Sequence, residues 1–146
     1  MTWSRLDTVS SGLSEEIRSA SPTEQRRIAL AVARHALLAI AFRHPLVDEV
    51  LAGIQVSAEG SIGVLPPLDA LVEALDDAYF TLAEQETPQQ PSPGLVLQAF
   101  SRARAVSALA FAIGPSSLEA ALESAYEAHA ATEDLPGITA IIRSRG

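Results

Sequence analysis

Apolar residues recur every three or four positions along most of the chain, which is the period of an α-helix with one buried face. The first stripe predicts an amphipathic surface helix near the N-terminus and consists of Leu6, Val9, Leu13 and Ile17. Later stripes fall within residues 46–52, 68–82, 96–113, 118–129 and 138–142. With the segment that follows Ser21, they predict an all-α fold, a compact bundle of six or seven helices.

The longest apolar segment predicts the central helix of this bundle. Ser21-Pro22-Thr23-Glu24 is a typical helix start, because the serine caps an exposed amide and proline is tolerated in the first turn. The helix should continue to about Arg43 and end before His44-Pro45, since proline disfavours helical geometry in the preceding residue. Nearly every position from Ile28 to Phe42 is apolar or alanine, so both faces should contact protein.

Two segments interrupt the helical pattern. After a short helix capped by Gly53, residues 54–57 and 61–64 alternate apolar with small or polar side chains, which predicts a small β-hairpin near residues 54–64. Residues 87–93 are too rich in proline for a helix and predict an extended connector. We expect both segments to lie within a single helical domain that spans residues 1–146.

Composition narrows the class of protein. Hydrophobic residues make up 48% of the 146 positions and charged residues 19%, which is typical of a chain that folds on its own. There is no cysteine, and the N-terminal segment has no uninterrupted apolar run that could act as a secretory signal. The apolar run from Ile28 to Phe42 is broken by Arg34 and His35 and is too short to cross a bilayer. We therefore expect a cytoplasmic protein without a membrane segment.

The net charge of −8 indicates which classes of partner to expect. All ten basic residues are arginine, and the richness in alanine and arginine without any lysine or asparagine is typical of a high-GC bacterial gene. An acidic surface repels phosphate, so nucleic acid is not an expected partner. A basic protein is the favoured partner, because opposite charge speeds association.

The acidic residues are not spread evenly. No arginine lies between Arg43 and Arg102, and the predicted helix in that interval carries Asp69, Glu73, Asp76 and Asp77. A later helix carries acids at spacings of four, which places them on one face: Glu119, Glu123 and Glu127. Either these acids solubilise outer faces and pair with Arg26, Arg27, Arg102 or Arg104, or the seven form a partner-binding surface.

Candidate chemistry is sparse. His35 falls on an apolar helix face, which favours a structural role in which a neighbouring acid satisfies the ring. His44 can help to end a helix beside Pro45. His129 lacks the spacing to other residues that a metal site needs. Adjacent acids such as Asp76 and Asp77 point about 100° apart on a helix and cannot share a ligand. No phosphate loop, nucleophile elbow or zinc-helix motif occurs, so we expect no catalytic residues, cofactor or metal.

Two functional hypotheses follow. The first is a non-enzymatic acidic protein-binding module, such as an immunity-type protein or inhibitor that neutralises a basic toxin or effector. The second is a small enzyme or small-ligand receptor with a pocket between helices, using His35, Tyr79, Arg102 or Arg104. A homodimer through one helix face is compatible with either hypothesis.

Overall fold

The computed structural model describes residues 3–56, 65–89 and 93–144. In these ranges the chain forms one short 3-10 helix, Arg5–Thr8, and seven α-helices. The helices are α1 (Ser11–Ser19), α2 (Pro22–Ala39), α3 (Pro45–Val56), α4 (Leu65–Gln85), α5 (Pro93–Ala112), α6 (Ser117–Thr132) and α7 (Leu135–Arg143). The predicted all-α bundle is confirmed, and no β-strand occurs in the described ranges.

Side-chain caps set most of the helix starts. Ser21 Oγ accepts the amide of Glu24 at the start of α2, and Ser116 Oγ accepts the amide of Glu119 at the start of α6. Asp134 caps α7 by accepting the amide of Gly137. Each cap satisfies an amide that the first turn of a helix leaves without a partner. The starts predicted at these three residues are confirmed.

The centre of the bundle is α6, because α6 packs against the 3-10 helix, α1, α2, α5 and α7. Small side chains let these helices approach closely, and the fully buried alanines include Ala29, Ala33, Ala36, Ala105, Ala108, Ala121, Ala125 and Ala128. Where α5 and α6 meet, Ser124 Oγ donates to the carbonyl of Ala108 across 2.8 Å. One hydrophobic core therefore connects the helices.

The prediction of a buried central helix from Ile28 to Phe42 is wrong in two respects. First, α2 ends at Ala39, because Ala41 adopts a left-handed conformation (φ 53°) that the helix cannot continue through. Second, one face of α2 meets solvent, and 69% of the surface of Leu38 is exposed. The chain then reaches α3, where His44 Nδ1 accepts the amide of Leu46. His44 thus supports the start of α3 and does not end α2.

The prediction of a hairpin after Gly53 is wrong for its first strand. Helix α3 continues through Gly53 to Val56, so residues 54–56 are helical. A single glycine inside a helix costs only about 1 kcal/mol relative to alanine, which the rest of the helix can offset. The second proposed strand, residues 61–64, lies outside the described residues. In the predicted connector, residues 87–89 are not helical, residues 90–92 are not described, and its last residue, Pro93, already belongs to α5.

The N-terminal stripe forms two elements where one was predicted. The 3-10 helix ends at Thr8, and Ser10 then caps α1 by accepting the amide of Leu13. Both elements bury apolar side chains, and Leu6 and Ile17 are fully buried. The predicted buried face is therefore present, although the helix that carries it is broken.

One helix segment in the described ranges, Gly94–Ala112 of α5, is long and apolar enough to cross a membrane. Half of this segment is buried inside the bundle. A core helix has the same length and composition, so the segment is weak evidence for a membrane span.

Candidate functional site

Three of the seven predicted partner-binding acids lie in an internal ion-pair network. Glu127 on α6 is 1% exposed and accepts from Arg5 at 2.8 Å and from Arg104 at 2.9 Å. Arg104 on α5 also donates to Asp76 on α4 at 2.6 Å, and Arg5 also pairs with Glu123 on α6. The network therefore ties the N-terminal 3-10 helix to α4, α5 and α6, and Glu127 cannot reach a partner. We name it the two-arginine network: Arg5, Asp76, Arg104, Glu123 and Glu127.

Each arginine of this network also lies near an aromatic ring. The guanidinium carbon of Arg5 lies 4.4 Å from the ring centre of Tyr126, and that of Arg104 lies 6.0 Å from the ring centre of Phe100. Partial burial acts to lower the pKa of Arg5, but its hydrogen bonds to Glu123 and Glu127 outweigh burial and raise that pKa above its ordinary value. Arg5 therefore stays charged and neutralises its two partner acids. Pairing with Arg104 was one of the predicted alternatives, whereas the role of Arg5 was missed.

The other four predicted acids are exposed. Asp69, Glu73 and Asp77 follow one another at spacings of four along α4, and Glu119 lies in the first turn of α6. No carboxylate of these four residues forms an ion pair or side-chain hydrogen bond with a described residue. We call Asp69, Glu73, Asp77 and Glu119 the unpaired acids. They are the part of the predicted surface that a partner could contact.

An apolar cleft lies between α4 and α6, with Asp69 and Glu119 among its lining residues. Helices α4 and α6 each pack along α5 but make little contact with each other, so α5 forms the floor of a groove between them. The cleft has a volume of about 420 Å³, and Asp69 and Glu119 stand on its opposite walls. Its other lining residues are Val72, Ser107, Ala110, Phe111, Gly114, Pro115, Ser116 and Ala120. It therefore combines apolar contact area with two carboxylates.

Ser107 is the polar residue on the floor of this cleft. It shares one face of α5 with Ala110 and Phe111, at spacings of three and four, and all three residues line the cleft together with Gly114, which follows the helix. Only 6% of its surface is exposed. Its hydroxyl makes no hydrogen bond to any described residue, whereas the hydroxyl of Ser124 on the facing helix bonds to a carbonyl. Sequence reasoning missed Ser107, because nothing in its neighbours marks a serine in an alanine-rich helix.

The histidines are placed apart from the cleft. His35 is half-buried, and its Nε2 lies 2.9 Å from Asp134 Oδ2, the carboxylate that caps α7. The predicted acidic partner of His35 is thus found, although its burial is only partial. His129 is half-buried in the last turn of α6. In the described part of the chain, no three His, Asp or Glu residues are grouped so that they could hold a metal ion.

The residues named for an enzyme or ligand pocket come together only in part. Tyr79 and Arg104 share a shallow second cleft of about 300 Å³ with Arg5, beside the two-arginine network. His35 and Arg102 do not line it. In that cleft both arginines are already bound to carboxylates.

Two carboxylates should make folding sensitive to acid. Hydrogen bonds from Arg18 and from the Ser4 amide lower the pKa of Asp7, and hydrogen bonds from the Gly137 amide and His35 lower the pKa of Asp134. Groups with a lowered folded pKa add stability above the ordinary carboxyl value of 3.8 and lose it as the pH falls through the lowered value. We therefore expect stability to drop below about pH 4.

The check is chemical denaturation across this acid range for Asp7→Asn/Asp134→Asn. The double variant should be less stable than wild type at neutral pH and should lose less of its stability on acidification. Asp77→Asn, which changes an exposed carboxylate without a described partner, should follow wild type at every pH. Parallel curves for wild type and the double variant would contradict the assignment.

Comparison with known proteins adds no relative to this description. No family model, curated protein or solved structure matches the chain. The residues of the site are therefore the basis for inferring a function.

Proposed function

We propose that this protein is a non-enzymatic acidic binding module that covers a basic surface of a partner protein, in the manner of an immunity protein or inhibitor of a basic toxin or effector. The cytoplasm is the proposed compartment. The observation that carries the proposal is the set of unpaired acids, two of which, Asp69 and Glu119, line an open apolar cleft. Charged walls around an apolar centre are the usual arrangement of a protein-binding surface.

The distribution of the arginines supports this proposal. Arg5 and Arg104 neutralise Asp76, Glu123 and Glu127, whereas no described arginine pairs with the unpaired acids. Like charges at spacings of four weaken an isolated helix by a few tenths of a kcal/mol per pair. The stripe on α4 therefore slightly disfavours its own helix, and a basic partner would remove that repulsion while gaining a faster encounter.

A small-ligand receptor is the second candidate, and one observation favours it: a cleft of about 420 Å³ falls within the size range of small-molecule sites. The residues first considered for chemistry do not line this cleft. The lining offers two carboxylates and two serine hydroxyls but no described general base paired with a nucleophile. The lining residues therefore support a receptor that binds a small ligand without catalysing a reaction.

The test removes charge from the unpaired acids. The variant Asp69→Asn/Glu73→Gln/Asp77→Asn/Glu119→Gln is expressed in the native cell beside wild type, and proteins cross-linked to each are quantified by mass spectrometry. A basic protein that is enriched with wild type should fall at least about tenfold with the variant, because each charge-assisted contact contributes 1.5–3 kcal/mol.

A matched control removes the same amount of charge elsewhere. The variant Glu15→Gln/Glu49→Gln/Glu84→Gln/Glu133→Gln changes four exposed acids that do not line the cleft and should retain the basic protein. Equal recovery with wild type and with the cleft variant would refute the proposal. Equal loss with both variants would also refute it, since general acidity rather than this surface would then explain the association.

A further inference from the structure

We infer that the cleft between α4, α5 and α6 is a pocket for one arginine side chain of the basic partner, with its guanidinium held by Asp69, Glu119 and Ser107. This inference depends on the proposed function and specifies how the partner is recognised. The three polar side chains have in common that each can accept a hydrogen bond. A guanidinium, which carries five donors and no acceptor, is the protein side chain that best matches them.

The charge around the cleft favours a cation. Asp69 and Glu119 face it from opposite walls, and neither has an ion-pair partner among the described residues. Arg26, which bonds to the cleft residue Pro115, donates to the carbonyls of Ala112 and Pro115 and not to either acid.

The buried hydroxyl is the independent sign of a ligand. A polar group that is removed from water without a hydrogen bond lowers stability, so most buried hydroxyls have a partner. Ser107 is 6% exposed, lines the cleft and has no described partner. An incoming guanidinium would donate a hydrogen bond to the Ser107 oxygen.

The apolar part of the lining selects arginine over lysine. The methylene stem of an arginine can lie along Val72, Ala110 and Phe111, which form the apolar surface between the acids and Ser107. A guanidinium is also more weakly hydrated than an ammonium, so it loses less on entering a mainly apolar cleft.

The probes are the peptide acetyl-Leu-Arg-Leu-amide and two analogues in which lysine or citrulline replaces arginine. Citrulline keeps the shape of arginine but lacks its charge. Titration of the ¹⁵N-labelled protein should shift the amides of α5 and α6 that line the cleft. The affinity for the arginine peptide should exceed that for the citrulline peptide by at least about tenfold.

Two variants test the residues. Asp69→Asn/Glu119→Gln should weaken binding of the arginine peptide by about tenfold, and the matched pair Glu49→Gln/Glu84→Gln should leave it unchanged. Ser107→Ala should weaken binding while thermal stability stays equal to wild type or rises, because the substitution removes a hydroxyl without a described partner. A fall in stability would show that the hydroxyl is bonded within the protein and would remove Ser107 from the site.

Several outcomes would overturn the pocket. These are equal affinity for the arginine, lysine and citrulline peptides, unchanged binding by Asp69→Asn/Glu119→Gln, or binding of free arginine as strong as that of the peptide. The last result would identify a small-molecule site. If the four-acid variant still loses its basic protein in the native cell, the proposed function stands without this pocket. If the arginine peptide binds specifically but the four-acid variant keeps the basic protein, the pocket stands and the proposed function fails.

Discussion

Replacing Arg104 with methionine should lower the free energy of unfolding by about 3 kcal/mol, because it leaves the carboxylate of Glu127 buried with one arginine in place of two. The Arg104 side chain is 19% exposed and that of Glu127 is 1% exposed, so water can compensate little of the loss. Arg102→Met is the matched control, since Arg102 lies two positions away on α5 and is exposed. It should change stability by less than about 0.5 kcal/mol.

The two arginines of the two-arginine network should contribute unequally to the free energy of unfolding. The Arg5 side chain is 40% exposed, so Arg5→Met should cost less than Arg104→Met. The double variant leaves Glu127 without an opposite charge and should be the least stable. Adding Glu127→Met should then recover much of the loss, because an apolar side chain in that place requires no counter-ion. Urea unfolding measures all four variants, and an Arg104→Met protein as stable as wild type would refute the network.

Leu109→Ala should lower the free energy of unfolding by about 3 kcal/mol, since it removes a fully buried side chain from α5 and leaves a cavity. For a chain of this size, the thermal midpoint should fall by roughly 10 °C. Leu97 provides the control on the same helix, because 62% of its surface is exposed. Leu97→Ala should have almost no effect on the midpoint. Equal effects of the two substitutions would mean that α5 is not oriented as described.

Local signals in the sequence predicted the helices well. The helix starts predicted from local sequence are capped by Ser21, Ser116 and Asp134. They could be predicted because a cap depends on contacts within four residues. Helix ends were harder. Gly53 lies inside α3 and the α2 helix stops before the expected Arg43, since the packing around a helix can override the propensity of single residues.

Pairing between distant residues could not be predicted from spacing. Glu119, Glu123 and Glu127 follow one another at spacings of four, yet Glu119 stands at the cleft and Glu127 lies under Arg5 and Arg104. The rotation of α6 against α5 and the docking of the N-terminal 3-10 helix decide this division. Arg5 is 122 positions from Glu127, and the helical period contains no information about such a contact.

The most direct test of the account compares two glutamates of α6, one assigned to the buried network and one to the exposed surface. In urea unfolding, Glu127→Gln should lose about 2 kcal/mol, because it removes charge-assisted hydrogen bonds to two arginines. Glu119→Gln should stay within about 0.5 kcal/mol of wild type. Equal stability of the two variants would contradict the division of the acids on which the proposed function depends.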